Sequence, residues 1–543
     1  MSTSGDAISS RRELWVPLLI LTVVTLAVYS TSLFNGFVMD DEVIIVNNPQ
    51  TLSLANIPDV LLAPDVVKPY YRPLNRATYL FDYQLAGMNP SWYHGVNIAI
   101  HLGSVILLYL LSRRLLGNRY GAFAAALLFT VHPVNSEAVN FISARNTLLA
   151  LFFSLASLLA YMSARERGVK IPLGSALLLF CGLMSKETAF MMTAVIFPAT
   201  FIPLQEREER LSWKGRIIFL SPYLAMTLIY FVMRAYSLQG IVGTGVPADG
   251  MLGRIALNYH IIPQYLGLLL IPADLTLFHK VPQGGLFTPP WHMPAMLVLL
   301  SLIWVVVKSR NRAALFGLAW LVINYVPISN IVPIPSEQLQ ERFLYMPAIG
   351  FFLGVGALFS WLHAREKYHR ALLAVSLVVA IAFAAVTMQR NLDWRSNLAL
   401  FSSGATNDPY SPGAHYNLGT AYMEIGQLQN ALHEWEKTLS LDPSYADALT
   451  QMGTFAAVRG DLQLAERYYL SALQAPQGET DPDKSMAHFN LGKLYEKWRE
   501  PEKALGHYRR FLETVPITYL EYRGEAEKRI AMLARLVPGG SGK

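Results

Sequence analysis

Charge is what this chain of 543 residues has least of. Asp, Glu, Lys and Arg make up 15% of it, where a soluble globular domain carries about 25%. Hydrophobic residues reach 53% and the mean hydropathy is +0.32. That balance excludes an ordinary soluble domain and points to a polytopic membrane protein. Cysteine is nearly absent. Cys181 stands alone in the apolar run IPLGSALLLFCGLM, which excludes an intramolecular disulfide and a Cys-rich metal site. It reads as a small packing residue in a helix. Also missing are a G-x-x-x-x-G-K-[ST] phosphate loop, a dinucleotide fingerprint, a zinc-ribbon pattern and an H-E-x-x-H pair. A nucleotide bound in a soluble domain is therefore not expected. The net charge of +6 fits Lys and Arg in cytoplasmic loops better than nucleic-acid binding.

Apolar runs are plentiful. Segments of spanning or near-spanning length fall at about 14–33, 95–112, 120–133, 141–163, 171–185, 188–204, 217–234, 254–272, 293–307, 313–330, 343–362 and 371–388. The first follows a basic flank, is too long for a signal-peptide core and precedes no A-x-A-like site. It reads as an uncleaved span with Arg11 and Arg12 in the cytoplasm. Alternation then puts SRRLLGNR, SARERGVK and QEREERLSWKGR inside, as the positive-inside rule expects. KSRNR and HAREKYHR look cytoplasmic too, which requires one segment between 235 and 292 not to cross. The run at 254–272, with Arg254, His260 and two prolines, is the best candidate. The expectation is about 11 crossings, one re-entrant or interfacial helix, and a C-terminal region outside. The outer loops, including a large first one at 34–93, hold most of the notable polar residues.

After about residue 390 the chain becomes rich in charged and helix-forming residues and repeats itself. Gly419 and Ala431, Gly453 and Ala465, and Gly492 and Ala504 are each 12 apart, and Pro443, Pro476 and Pro516 close the units. This is the tetratricopeptide pattern, in which small residues let paired helices pack closely and proline ends the second helix. We expect a domain at 1–390, a linker at 391–412 and, at 413–543, about three repeats with a capping helix near 521–536.

The first outer loop opens with FVMDDEVIIVNNP. Acidic residues at a span end are ordinary, but such a carboxylate can also act as a general base or hold a divalent ion. Its company decides. FVMDDE, YYRPLNR, NPSWYHGVNIAIH, HPVNSEAVNFISARN, GLMSKET and ERFLYMPAIGF occur in one order, ahead of the repeats. Together they resemble the transmembrane-and-tetratricopeptide-repeat O-mannosyltransferase family, in a bacterial-type form, within the broader GT-C glycosyltransferase class.

The resemblance implies an all-α, polytopic GT-C-like helical domain followed by an α-solenoid. It implies transfer of a sugar from a polyprenyl-phosphate carrier to a protein or glycan hydroxyl on the outer face. An acidic residue of the first outer loop would activate the acceptor. That maps onto Asp40 and Asp41, with Asp40 favoured by its place after the apolar residue and the two not separated. Met39 stands where the family often has an aromatic residue. A leaving phosphate needs cations. Lys186 of SKE and Arg342 of ERFLY carry the best likeness, with Arg72 beside them, and Glu341, His132 and Glu137 complete the expected substrate-binding set. A divalent metal stays open. The repeats would hold the acceptor or a protein partner, in the periplasm if the membrane is a bacterial inner membrane. The rival expectation is a non-enzymatic membrane-anchored repeat scaffold.

Overall fold

The computed structural model describes residues 4–64, 70–200, 212–238, 251–279, 281, 290–331, 339–476, 484–515 and 520–536, and among them there are helices and no strands. The chain divides into two compact units, Met1–Ser396 and Asn397–Lys543.

The first unit is a bundle of apolar helices. Among the described residues five are long and apolar enough to cross a membrane: Pro90–Leu116, Ile142–Glu166, Trp213–Leu238, His292–Ser309 and Glu366–Asp393. Six shorter apolar helices accompany them. Met251–Leu270, within the segment expected not to cross, is in neither group. It is nonetheless a continuous helix of 20 residues with Pro263 inside, close to 30 Å long at about 1.5 Å per residue. Length does not set it apart, whereas Arg254 and His260 do.

Helices turn leucine, valine and isoleucine outward. Leu297, Leu300, Leu377, Val378 and Ile381 are exposed, as expected of surfaces that meet acyl chains rather than water. Between helices the contacts depend on glycine, because without a hydrophobic drive in lipid close van der Waals approach holds a bundle together. A Cβ on Gly350 would lie 2.2 Å from the Gly317 carbonyl oxygen, and one on Gly121 would lie 2.4 Å from that of Gly356. The helices Arg312–Tyr325 and Arg119–Val131 thus each press backbone to backbone on Ala348–His363.

The large first loop is not a floppy connector. It carries 3₁₀ turns, a short helix Ile57–Leu62 and an amphipathic helix Pro73–Ala86. That helix buries Asn75, Arg76, Tyr79, Leu80 and Asp82 while Phe81 and Leu85 are exposed. The run expected at 343–362 begins later, at Ala348, and Glu341–Tyr345 form a 3₁₀ turn ahead of it. Pro347 at the helix N-terminus suits that start. Glu341 and Arg342 therefore stand on a turn, not in a span.

The second unit is the repeat solenoid. Helix pairs Pro412–Glu424 with Leu428–Leu441, Ala446–Val458 with Leu462–Gln474, and Ser485–Lys497 with Pro501–Thr514 are followed by Leu520–Leu533. The repeat glycines sit under aromatic rings. A Cβ would come within 2.6 Å of Trp435 at Gly419, 2.6 Å of Tyr469 at Gly453 and 2.7 Å of Tyr508 at Gly492. The segment read as a linker differs from expectation. Asn397–Asn407 is helical, buries Leu400, Phe401 and Ala405, and falls in the solenoid unit. Its apolar face packs on the first repeat helix instead of running free.

Candidate active site

The acidic triplet forms a tight turn. Met39 adopts φ 52°, the left-handed region that costs a side-chain-bearing residue about 1 kcal/mol or more. The Asp41 amide donates to the Val38 carbonyl at 3.1 Å and the Glu42 amide to that of Met39 at 3.2 Å. Asp41 is folded back under the turn. One of its oxygens accepts from the Val38 amide at 3.2 Å. The other accepts from the Ser143 amide at 2.7 Å and the Ser143 hydroxyl at 2.5 Å. Asp41 has no exposed surface, and burial pushes its carboxyl up to about 7 even against these donors.

Asp40 is the opposite case. Its surface is exposed, and no hydrogen bond holds its carboxylate among the described residues. Yet surrounding protein still pushes its carboxyl above the ordinary range, while the Arg342 charge pulls it down. The left-handed Met39 and the pinned Asp41 fix the backbone on either side of it.

The cations converge nearby. Arg342 donates from its amide to Glu137 at 2.9 Å, and its guanidinium pairs with the other oxygen of the same carboxylate. Phe141 and Phe343 flank that guanidinium at 5.3 and 5.8 Å. Lys186, at the end of helix Leu173–Ser185, donates to the Thr147 hydroxyl at 2.8 Å. Burial, then the charge of Arg72, lowers its pKa to about 7. Lys186, Arg342, Thr147, Thr188 and Asn324 line one small cavity of about 20 Å³, room for one water molecule. Arg72 grips Glu187 with two parallel bonds of 3.0 and 2.8 Å, lies 3.9 Å over the Tyr70 ring, and shares Glu187 with Arg234, 4.0 Å away. These charges bring the Glu187 carboxyl down to about 2.

Three expected binding residues are used otherwise. His132 caps the turn Pro133–Asn135, accepting the Val134 amide at 3.3 Å on Nδ1. Its Nε2 then donates to the Leu269 carbonyl at 3.1 Å. Both ring nitrogens of this expected binding residue are engaged within the protein. Glu341 is fully buried, 3.4 Å from His279 and 3.7 Å from Arg390. It is a structural partner in the bundle. Glu137, also buried, pairs with Arg342, and its charge is felt by Lys186. Two other basic residues of the same loops are spoken for. Arg145 is wholly buried among Asp82, Asn97, Thr78 and the Tyr93 carbonyl. Arg76 donates to the carbonyls of Ala63 and Pro64.

Among the described residues no three His, Cys, Asp or Glu side chains gather as a ligand set. The carboxylates near the cavity are matched with guanidinium groups, Glu137 with Arg342 and Glu187 with Arg72. Reading the sequence missed Ser143, Thr147, Arg234 and Tyr70. Ser143 lies in the ISARN motif, and its hydroxyl two residues before an arginine was the available signal.

Residues 84–235 match the dolichyl-phosphate-mannose-protein mannosyltransferase family, and residues 412–445 and 444–515 match tetratricopeptide repeats. Protein O-mannosyl-transferase F38B6.6 of Caenorhabditis elegans is 29% identical over 450 residues, covering 79% of this chain and 63% of that protein. Protein O-mannosyl-transferase TMTC1 of Homo sapiens is 28% identical over 489 residues, covering 78% of this chain and 55% of that protein. The chain thus spans less than two thirds of the length of these relatives. A solved archaeal oligosaccharyltransferase, AglB of Archaeoglobus fulgidus with an inhibitory peptide and a dolichol-phosphate, superposes with TM-score 0.39 at 12% identity, covering 75% of this chain and 59% of that one. The chain is thus similar to proteins named protein O-mannosyl-transferases, and it carries a mannosyltransferase-family match ahead of tetratricopeptide-repeat matches.

Proposed function

We propose that this protein is a membrane glycosyltransferase that moves a sugar from a polyprenyl-phosphate carrier to a hydroxyl of a protein or glycan on the outer face of the membrane. The observation that carries the reading is Asp40, an exposed carboxylate without a hydrogen bond among the described residues, within reach of the charge of Arg342, a residue that lines one cavity with Lys186. The relatives named as protein O-mannosyl-transferases support the reaction class, and the sugar itself does not transfer on likeness.

In the step, the acceptor oxygen forms a bond to the anomeric carbon and its proton passes to Asp40. The bond from that carbon to the phosphate oxygen breaks, and the lipid phosphate leaves with the electron pair. Negative charge grows on the departing phosphate, where Arg342 and Lys186 are already placed. Preorganised cations lower such a barrier without reorganising during the reaction. Glu137 and Phe141 hold the Arg342 guanidinium, and Thr147 holds the Lys186 ammonium. Arg72 is pre-set by Glu187 to face an anion from one side.

The repeats, placed by the charge pattern on the same face as Asp40, would present the acceptor or a partner protein, in the periplasm of a bacterial cell. The test is transfer from a polyprenyl-phosphate sugar to an acceptor pool by the purified protein in vesicles. Asp40→Asn should cost on the order of a hundredfold or more in rate, the usual share of a general base, with expression and melting temperature unchanged. Full activity of that variant would refute the reading. A C-terminal reporter that scores as cytoplasmic would refute the shared face.

A further inference from the structure

On the side opposite the acidic turn along helix Pro90–Leu116, where the charge pattern puts the cytoplasm, lies a groove that the transfer reaction does not use. It has a volume of about 570 Å³, within the usual ligand range of about 300–1,000 Å³. Three helices supply its walls: the first helix, Pro90–Leu116 and Arg145–Glu166. Leu14, Leu110 and Leu159 line its apolar part. Arg113, Arg114 and Arg167, with Ser163, line its polar part.

We propose that this groove binds the phosphate headgroup of an anionic phospholipid, with an acyl chain along the leucines. The arginines are held rather than loose. Arg114 donates from one nitrogen to the Leu159 carbonyl at 3.2 Å and the Ser163 hydroxyl at 3.0 Å. Arg167 donates to the Ser163 carbonyl at 3.1 Å. Arg113 lies 6.0 Å over the Tyr109 ring. These bonds use one edge of Arg114 and Arg167 and leave further N–H groups for an anion. Counter-charge is scarce. Glu166 lies 3.9 Å from Arg114, and Glu13, beside Leu14, is paired with Arg119.

Three guanidinium groups, two of them held by hydrogen bonds, form an anion site, and guanidinium binds phosphate through two parallel bonds. The leucines beside them favour a phosphate that carries a hydrocarbon chain. A helix bundle in a membrane meets such a molecule in its own leaflet, and basic residues at that surface attract anionic lipid. The proposal rests on the charge-based orientation and not on the transferase reading.

The test uses the full-length protein purified in neutral detergent. Phosphatidylglycerol, phosphatidylcholine and inorganic phosphate are added separately, and thermal unfolding and retained lipid (by native mass spectrometry) are read. Phosphatidylglycerol alone should raise the melting temperature and stay bound. The triple variant Arg113→Gln, Arg114→Gln, Arg167→Gln should weaken that binding on the order of a hundredfold. Lys170→Gln, an exposed charge near the same helix ends but outside the groove, should not weaken it. If the triple variant does not fold, Arg167→Gln alone is read, with about a tenfold loss expected. An undiminished phosphatidylglycerol effect in the groove variants overturns the proposal. So does an equal effect of phosphatidylcholine, which would mean chain binding alone, or a full effect of inorganic phosphate, which would mean a free-ion site. An equal loss in Lys170→Gln would mean diffuse surface charge and overturns it as well.

Discussion

Ser143 holds one oxygen of Asp41 with two donors at once, its amide at 2.7 Å and its hydroxyl at 2.5 Å. With the Val38 amide on the other oxygen, Asp41 is the anchor of the acidic turn, and Asp40 is what the anchor presents. The two neighbours should therefore fail in different ways. Asp41→Asn replaces an acceptor oxygen with an NH₂ group, so at least one buried donor loses its partner, at a cost of about 1–3 kcal/mol. The variant should melt several degrees lower. Asp40→Asn breaks no bond and should stay within about 0.5 kcal/mol of the parent while transfer collapses. Thermal unfolding and a transfer assay on both variants decide it. A stable, inactive Asp41→Asn beside an active Asp40→Asn would exchange the roles.

Lys186 makes the reaction sensitive to alkali. Burial and the Arg72 charge lower its pKa to about 7, so it loses its proton as pH rises through that value, where an ordinary lysine keeps it. If its charge supports the leaving phosphate, turnover falls above about pH 7. On the acid side, the raised Asp40 carboxyl is filled with base only above the ordinary carboxylate range, so the profile is a bell. Lys186→Arg keeps its charge at every working pH and should flatten the alkaline limb; an unchanged limb would remove Lys186 from the transition state. Stability runs the other way. Between about 7 and 10.5 the unfolded chain binds the extra proton, so folding stability should rise with pH across that window. Lys186→Met should lose that rise.

The ordered motifs carried the likeness, and small-residue spacing carried the repeats, because both are local in sequence. Long-range pairings were not legible. Arg72 and Glu187 meet across 115 positions, and neither residue's neighbours announce the other. The fold makes Glu187 the partner of Arg72. Glu341 and Arg342 are neighbours in sequence and were expected in one binding set. The 3₁₀ turn sends their side chains apart, to Arg390 and Glu137. The helix at Asn397–Asn407 escaped notice because two serines and a glycine sit in it, and its packing outweighs weak propensity.

The membrane unit should tolerate alanine at one glycine and refuse it at another four residues away on the same helix. A Cβ on Gly350 would lie 2.2 Å from the Gly317 carbonyl oxygen and 2.7 Å from the Leu321 amide nitrogen. Those are backbone atoms and cannot swing aside, so the helix pair must separate, at about 1–3 kcal/mol. Gly354 has nothing within 4 Å of the same position, and alanine there should be neutral or stabilising by up to about 1 kcal/mol. Thermal unfolding of Gly350→Ala and Gly354→Ala in one detergent gives the comparison. Equal melting temperatures would show that backbone contact does not hold this pair.

The solenoid makes a parallel case with a movable neighbour. A Cβ on Gly453 would meet the Tyr469 ring at 2.6 and 2.8 Å. Tyr469 is buried and bonded to the Thr454 hydroxyl at 3.3 Å, so it cannot rotate away without giving up that bond and its packing. Gly453→Ala should raise amide exchange in helices Ala446–Val458 and Leu462–Gln474 of the full-length protein. Gly506→Ala, in helix Pro501–Thr514 with open space around it, should leave exchange unchanged. Shortening the ring partner separates the two contributions. Combined with Tyr469→Leu, Gly453→Ala should cost less than it does alone, because the clash and the ring share one space. Additive costs would mean that the helices are spaced by something other than this glycine and tyrosine.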